Sequence, residues 1–174
     1  MMRVVLFFDQ IQAGAGGKDK TDVPLAVEKG GIGAYLTFQQ YLDKSLSVIA
    51  TTYSGTGYFQ DHKEEVITKM LGLLKKVKAD FVLCGPCYNY EPYAEMAAQL
   101  AAAVSEQLPD CQAIVMCSEE NKRIIDTFKQ QVVMVKMPKK GGVGLSDSFK
   151  NLSKVMVAVG QGQSLDDLAT CIYQ

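Results

Sequence analysis

The sequence has no tryptophan, one histidine and no excess of either charge. Its 18 lysine and arginine residues are balanced by 19 aspartate and glutamate residues. Proteins that bind nucleic acids or anionic membranes usually carry a basic excess, so neither partner is expected. No apolar run approaches the ~20 residues of a transmembrane helix. The short apolar run Val4–Phe8 ends at Asp9, which favours a core strand over a signal peptide. We therefore expect a cytoplasmic protein.

What is present is the composition of an ordinary globular protein. Hydrophobic residues make up 48% of the 174 residues and charged residues 21%. This length allows one α/β domain, residues 1–174, with a substantial core. No internal repeat or linker interrupts it. The oligomeric state is left open, a homo-oligomer included.

Short β-type runs alternate five times with longer helical patterns. This alternation predicts a three-layer, doubly wound α/β fold with a parallel five-stranded sheet of flavodoxin-like order 2-1-3-4-5. Asp61 is placed to cap the second helix. The predicted strands are Arg3–Phe8, Leu46–Thr52, Phe81–Leu83, Gln112–Cys117 and Val132–Lys136. The predicted helices are Ala34–Lys44, His62–Val77, Glu91–Gln107, Glu119–Lys129 and Leu145–Val159.

Ligands of such sheets bind beyond the carboxyl ends of the strands, where the strand order reverses. Here that point lies between the first and third predicted strands. It brings together the loops Gly14–Lys18 and Cys84–Cys87. We therefore expect the functional crevice at this place.

The loop Cys84-Gly85-Pro86-Cys87 has the strongest chemical signal. In the cytosol, two cysteines at this spacing can form a redox couple in which one thiol attacks and the other resolves the adduct. Thioredoxins have the same tetrapeptide, with the second cysteine in the first turn of a helix. Here Pro92 places the helix start near Glu91, so Cys87 lies in the loop. Two readings stay open: a redox or nucleophilic pair, and a Gly-Pro turn with two small buried side chains.

Three further motifs are weaker. Gly14-Ala15-Gly16-Gly17-Lys18 can offer backbone amides to an anion, but it matches neither the dinucleotide nor the phosphate-loop spacing. Ser54-Gly55-Thr56-Gly57 is similar to the flavodoxin phosphate loop but follows the second strand, with Tyr58 or Tyr88 available to cover a flavin. Glu119-Glu120-Asn121 follows the fourth strand at the same edge, where acids usually complement a helix start.

A zinc site would need four ligands. Cys117, at the end of the fourth strand, could join the two loop cysteines, but His62 is expected at an exposed helix start. We therefore predict neither a metal nor a cofactor.

Several blocks together resemble one family. They are Met2–Val5 leading into Ala13–Asp22, then Tyr58-Phe59, Gly85–Asn89 with Tyr93, and Glu119–Asn121. In this order they resemble the N-terminal region of selenoprotein B of the glycine, sarcosine, betaine and D-proline reductases. The resemblance implies reductive cleavage of an amino-acid C–N bond, with a selenocysteine attacking the α-carbon and a pyruvoyl partner subunit.

The chain departs from that family in three ways. Family members are much longer and carry the selenocysteine in a C-terminal half, whereas this sequence contains none. Pro92 replaces an arginine that could pair with a substrate carboxylate. Cys87 stands where the family commonly has alanine.

Two functional hypotheses follow. In the first, the chain is a thiol-dependent oxidoreductase or accessory subunit, with Cys84 and Cys87 as the catalytic pair and a protein redox partner. In the second, it is a non-catalytic module that holds a small polar or amino-acid-like ligand, or docks a partner protein, in the same crevice. The predicted binding residues are Gly14, Gly16, Gly17, Lys18, Tyr58, Asn89, Tyr93, Glu119, Glu120 and Asn121. A flavin carrier is a third reading, which the colour of the purified protein would decide.

Overall fold

Six strands and six α-helices are found in a computed structural model that describes residues 1–174. The strands are β1 (Met2–Phe8), β2 (Ala26–Lys29), β3 (Leu46–Tyr53), β4 (Phe81–Cys84), β5 (Gln112–Ser118) and β6 (Val133–Met137). The helices are α1 (Tyr35–Phe38), α2 (Thr56–Asp61), α3 (Lys63–Lys76), α4 (Glu91–Gln107), α5 (Lys122–Phe128) and α6 (Leu145–Gly160). Short 3-10 helices cover Gln39–Tyr41 and Asp166–Cys171.

The strands form one mixed sheet in the order β2-β3-β1-β4-β5-β6. The last five of these run parallel to one another, whereas β2 is antiparallel to β3. The α/β class is therefore confirmed. The prediction of a wholly parallel, five-stranded sheet is wrong, because β2 adds a sixth, antiparallel strand. The five predicted strands lie within the sheet in the order 2-1-3-4-5. The residues of β2 are largely exposed at the sheet edge, so their sequence carries no hydrophobic pattern.

The helix predictions succeed where an apolar face is long. Helix α4 has the predicted bounds, and α3 lies within the predicted range. The predicted helix Ala34–Lys44 is wrong in extent, because only Tyr35–Phe38 is α-helical before a 3-10 turn. The predicted cap is also wrong: Asp61 ends the separate helix α2, and His62 precedes α3.

Strand β1 lies in the middle of the sheet and is the centre of the core. Its residues Val4–Phe8 have no exposed surface. On one side of the core, Phe149 of α6 stacks on Phe38 and Tyr41, with ring centroids 5.5 and 5.9 Å apart. The buried side chains of the sheet and helices form one continuous apolar cluster. A parallel sheet needs such cover, because its strands are apolar on both faces.

The chain ends on the outer edge of β6. Ile172 forms a bridge with Val135, and the Tyr173 amide donates to the carbonyl of Met134 at 3.0 Å. No helix has the length and apolar character required to cross a membrane.

The stacking around Phe149 gives a test of the core. Phe149→Ala should lower the free energy of unfolding by about 3–5 kcal/mol, because it leaves a cavity between α6 and the 35–41 segment. Urea unfolding followed by circular dichroism measures this loss. Lys154→Ala, at an exposed position of the same helix, should change the value by less than ~0.5 kcal/mol. Equal effects of the two changes would contradict the packing described here.

Candidate functional site

The strand order reverses at β1, because β3 and β4 lie on its opposite sides. Phe7 of β1 pairs in register with Cys84, the last residue of β4. Asp9 follows one strand and the loop Gly85–Cys87 follows the other, at the same edge of the sheet. We call the place where these two strand ends meet the central crevice; the side chains of Asp9, Gln10, Cys84 and Cys87 fill it and have no exposed surface. It is the point at which doubly wound sheets hold their ligands.

Both cysteines of this loop are buried, with no exposed surface. The Cys87 thiol donates to the Cys84 carbonyl over 3.7 Å, and the Cys87 amide donates to the Met116 carbonyl at 2.8 Å. Burial raises the pKa of both thiols well above the ordinary cysteine value. Both are free thiols. A protonated, enclosed thiol is a poor nucleophile, since the thiolate is the reactive form.

Gly85 allows the loop to lie against β5. Its φ of 155° is rarely adopted by other residues, and a Cβ there would come within 2.8 Å of the Met116 carbonyl oxygen. Close packing against that strand accounts for the burial of the two thiols.

Tyr93 lies in the first turn of α4, which begins at Glu91 and contains Pro92. It is buried, and its hydroxyl donates to the Phe7 carbonyl at 2.6 Å. Of the predicted binding residues, it is therefore the one that joins α4 to β1. Its hydroxyl is occupied by the protein itself.

The loop Gly14–Lys18 is tied back by Gln10, which has no exposed surface. The side-chain nitrogen of Gln10 donates to the carbonyls of Gly17 and Lys18, both at 3.4 Å. The side-chain oxygen of Gln10 accepts from the Thr56 backbone amide at 3.3 Å. All three bonds are at the long end of the hydrogen-bond range. The glycine loop thus lies against the start of α2 and the end of β1.

The start of α2 has its backbone amides occupied. The Tyr58 amide donates to the Thr21 carbonyl and the Gly55 amide to the Val23 carbonyl, both at 2.8 Å. A Cβ on Gly55 would overlap the Thr21 carbonyl oxygen. The Tyr58 ring stacks on His62 with centroids 4.1 Å apart. These contacts argue against the flavin reading, because a phosphate loop needs free amides.

The acidic pair after β5 holds a neighbouring loop. Glu119 forms an exposed ion pair with Lys139 at 3.2 Å. The Glu120 carboxylate accepts from the Lys140 amide at 2.8 Å and from the Ser118 hydroxyl at 3.3 Å. No side-chain cap is found at the start of α5. The two acids bind the chain that follows β6.

Asn121 is almost fully buried, and its amide nitrogen donates to the carbonyls of Tyr88 and Ser118, at 2.8 and 3.2 Å. Asn89 is exposed and lines a cavity of about 320 Å³ with Tyr88 and the segment 138–142. This cavity lies on the β6 side of the loop. The predicted binding residues therefore form three groups, at α2, at the central crevice and near β6.

Asp9 is the residue that our interpretation of the sequence missed. It is buried at the end of β1; its Oδ1 accepts from the Gln12 amide at 2.7 Å, and its Oδ2 has no partner. Burial raises its pKa to about 6. The available signal was an acid that directly follows an apolar strand at the predicted point of strand reversal.

A metal centre is not supported by the arrangement. No group of three or more histidine, cysteine, aspartate or glutamate side chains is placed to hold a metal ion. Cys117, the third thiol of the zinc alternative, is buried, which raises its pKa to about 12.

The raised pKa of Asp9 predicts a dependence of stability on pH. The ordinary value is 3.8 and the folded value about 6, so the folded protein retains a proton that the unfolded chain has lost between these limits. This contribution to stability is complete below pH ~4 and disappears as the pH rises through ~6. Relative to the natural protein, Asp9→Asn should therefore gain about 3 kcal/mol in unfolding free energy between pH 4 and pH 7.

Urea titrations at several pH values measure this difference. Asp19→Asn, an exposed change on the following loop, is the matched control. A flat profile for Asp9→Asn would show that Asp9 is not buried as an uncompensated carboxyl.

The whole chain is similar to proteins of one known family. The family described as glycine/sarcosine/betaine reductase selenoprotein B matches residues 1–171. The glycine reductase complex component B subunit gamma of Peptoclostridium litorale is 27% identical over 169 residues, covering 94% of this chain and 37% of that protein. No solved structure matched.

Two other relatives have related names. The sarcosine reductase complex component B subunit beta of Peptoclostridium acidaminophilum is 22% identical over 162 residues, 93% of this chain and 36% of its own length. The glycine reductase complex component B subunit gamma of Symbiobacterium thermophilum is 28% identical over 107 residues, 62% of this chain and 25% of its own. The chain thus spans about a third or less of the curated relatives it matches. Since the family match covers nearly every residue, this chain belongs to the glycine/sarcosine/betaine reductase selenoprotein B family.

Proposed function

We propose that this chain is a non-catalytic accessory component of a reductase assembly of this family. In this proposal the central crevice holds a small polar, amino-acid-like ligand, and the enclosed thiols of Cys84 and Cys87 do not contact it. The observation that carries the proposal is the enclosure of both thiols at the place where the fold offers a ligand site.

A thiol mechanism has little support from this geometry. Neither sulfur has exposed surface, and both pKa values are raised by burial. The helix that follows begins at Glu91, so its positive end does not stabilise a Cys87 thiolate. A redox role would require the loop to leave β5, where the Cys87 amide is bonded to Met116.

The family membership supports a role beside other proteins. The relatives are named as subunits of reductase complexes, and this chain matches about a third of the length of the two that cover it most fully. We infer that this chain acts beside partner subunits and contributes a binding site.

The basic groups of the chain limit how that site binds a carboxylate. The sequence has two arginines, Arg3 and Arg123. Arg3 donates to the Val77 carbonyl at the opposite edge of the sheet. Arg123 is paired with Glu91 at 2.6 Å and with Glu95 at 3.4 Å. A substrate carboxylate would therefore meet lysine or backbone donors, and no free arginine.

Calorimetric titration tests the proposed binding role. Glycine, sarcosine and betaine are titrated into the natural protein and into the double variant Cys84→Ala/Cys87→Ala. We expect at least one ligand to bind with a dissociation constant in the millimolar range or tighter, and the double variant to retain that constant within about twofold. Absence of binding for all three would overturn the ligand role. Loss of binding in a folded double variant would show that the thiols take part in ligand binding.

The enclosure of the thiols gives a separate prediction. In the native protein, iodoacetamide should modify the partly exposed Cys171 and spare Cys84 and Cys87, because only exposed thiols react. All five cysteines should react in 6 M guanidinium. Mass spectrometry of the peptides measures both states. Rapid native labelling of Cys87, or a reversible 2 Da loss on mild oxidation, would favour the oxidoreductase hypothesis.

A further inference from the structure

Two buried side-chain atoms have no hydrogen-bond partner, Oδ2 of Asp9 and Oδ1 of Asn121. Both are acceptors. The Asn121 amide nitrogen is fixed by its bonds to Tyr88 and Ser118, so the unpartnered atom of that side chain is the oxygen. Buried polar atoms nearly always have a partner, so each atom indicates an outside group that donates a hydrogen bond.

The two acceptors belong to different positions of the sheet. Asp9 follows β1 and Asn121 follows β5, and β4 lies between these strands. Two strand spacings separate them by roughly 10 Å, which is too far for one small molecule to bridge. Asn121 is neutral, so a water molecule is sufficient for it. Asp9 can carry a charge, and its partner must be considered separately.

The surroundings of Asp9 contain no positive charge. The titratable groups that face it are the Cys87 thiol, from the loop after β4, and the Tyr93 hydroxyl, from α4. Burial raises both of their pKa values, so both are uncharged at neutral pH. Gln10 and the start of α2 contribute amide groups, which carry no net charge. Above pH ~6, Asp9 is therefore a buried carboxylate without a counter-charge.

We propose that Asp9 determines the specificity of the central crevice, and that its Oδ2 accepts a hydrogen bond from a primary ammonium group of the ligand. A cationic donor supplies both the missing hydrogen bond and the missing charge. A neutral donor supplies only the hydrogen bond, and the Asp9 carboxylate repels an anionic group. The inference rests on the proposed role of the crevice as a ligand site.

Access to Asp9 requires a small movement. Asp9 has no exposed surface, and the turn that begins with Gln10 lies beside it. The three side-chain bonds of Gln10 are all long, at 3.3 to 3.4 Å, and are therefore weaker than the bond that its backbone carbonyl accepts from the Ala15 amide at 2.9 Å. The ligand enters when the turn shifts, and the glycines at 14, 16 and 17 give the following loop its freedom.

The test uses three simple probes: methylammonium, tetramethylammonium and acetate. They separate an N–H donor, a cation without N–H and a carboxylate. Binding is measured by the shift of the Asp9 carboxyl carbon in protein labelled with carbon-13 aspartate, with Asp9→Asn used to assign the signal. Asp19→Asn, exposed on the same loop, is the matched control.

We expect methylammonium to bind the natural protein and Asp19→Asn with equal affinity at pH 7. It should bind Asp9→Asn at least tenfold more weakly. Since Asp9→Asn has no Asp9 carboxyl signal, its binding is followed by the chemical-shift changes of neighbouring amides. Its affinity for the natural protein should fall about tenfold from pH 7 to pH 5, as Asp9 takes up a proton. Tetramethylammonium and acetate should leave the Asp9 signal unchanged. The pH series needs no variant, so a folding defect of Asp9→Asn does not remove the test.

Other results would overturn the proposal. Equal effects of methylammonium and tetramethylammonium would show that charge alone is sensed. No methylammonium effect at any pH would mean that a buried water alone meets Oδ2. If an amino acid binds in calorimetry while methylammonium leaves Asp9 unaffected, the ligand role stands and the role of Asp9 fails. If no amino acid binds while methylammonium does, the amino-acid ligand role fails and the binding of an ammonium group by Asp9 stands.

Discussion

The burial of β1 between β3 and β4 is the constraint on which the rest of the structure depends. It places five consecutive apolar residues, Val4–Phe8, at the centre of the sheet with no exposed surface. It also carries the next two residues, Asp9 and Gln10, into the interior at the carboxyl edge. Tyr93 reinforces this arrangement, because its hydroxyl donates to the carbonyl of Phe7, two residues before Asp9. The polar groups at the strand end are thus held by an apolar core.

The same burial raises the pKa of both kinds of ionisable group in the crevice, with different results near neutral pH. A thiol that is removed from water stays protonated and loses reactivity, as for Cys84 and Cys87. A carboxyl that is removed from water becomes a stronger acceptor of protons, as for Asp9, whose pKa rises to about 6. Near neutral pH both thiols therefore stay protonated, whereas the Asp9 carboxyl lies close to the pH at which it loses its proton.

Family membership and the chemistry of the site were unequally predictable. The ordered short motifs between Met2 and Asn121 were enough to indicate the reductase family, and the family match over residues 1–171 confirms it. The Cys-Gly-Pro-Cys spacing was the sharpest local signal, yet a spacing does not say whether a side chain faces water. Glu119 and Glu120 illustrate the same point, because their partners Lys139 and Lys140 are about 20 residues away in the chain.

The sequence by itself determined the elements with strong periodicity: α4 to the residue, α3, and the five parallel strands to within a few residues. It determined the carboxyl edge as the place where the glycine and cysteine loops begin, because strand direction follows from the alternation of strands and helices. Only the tertiary structure decided that Ala26–Lys29 pairs with β3, since edge pairing is made by backbone groups and leaves no apolar pattern. Only the tertiary structure separated the predicted binding residues into three groups and enclosed the thiols. Whether a side chain is buried, and whether it finds a hydrogen-bond partner, depends on segments that are distant in the chain. Asp9 differs from the other groups of the crevice because it is buried with no partner for its Oδ2.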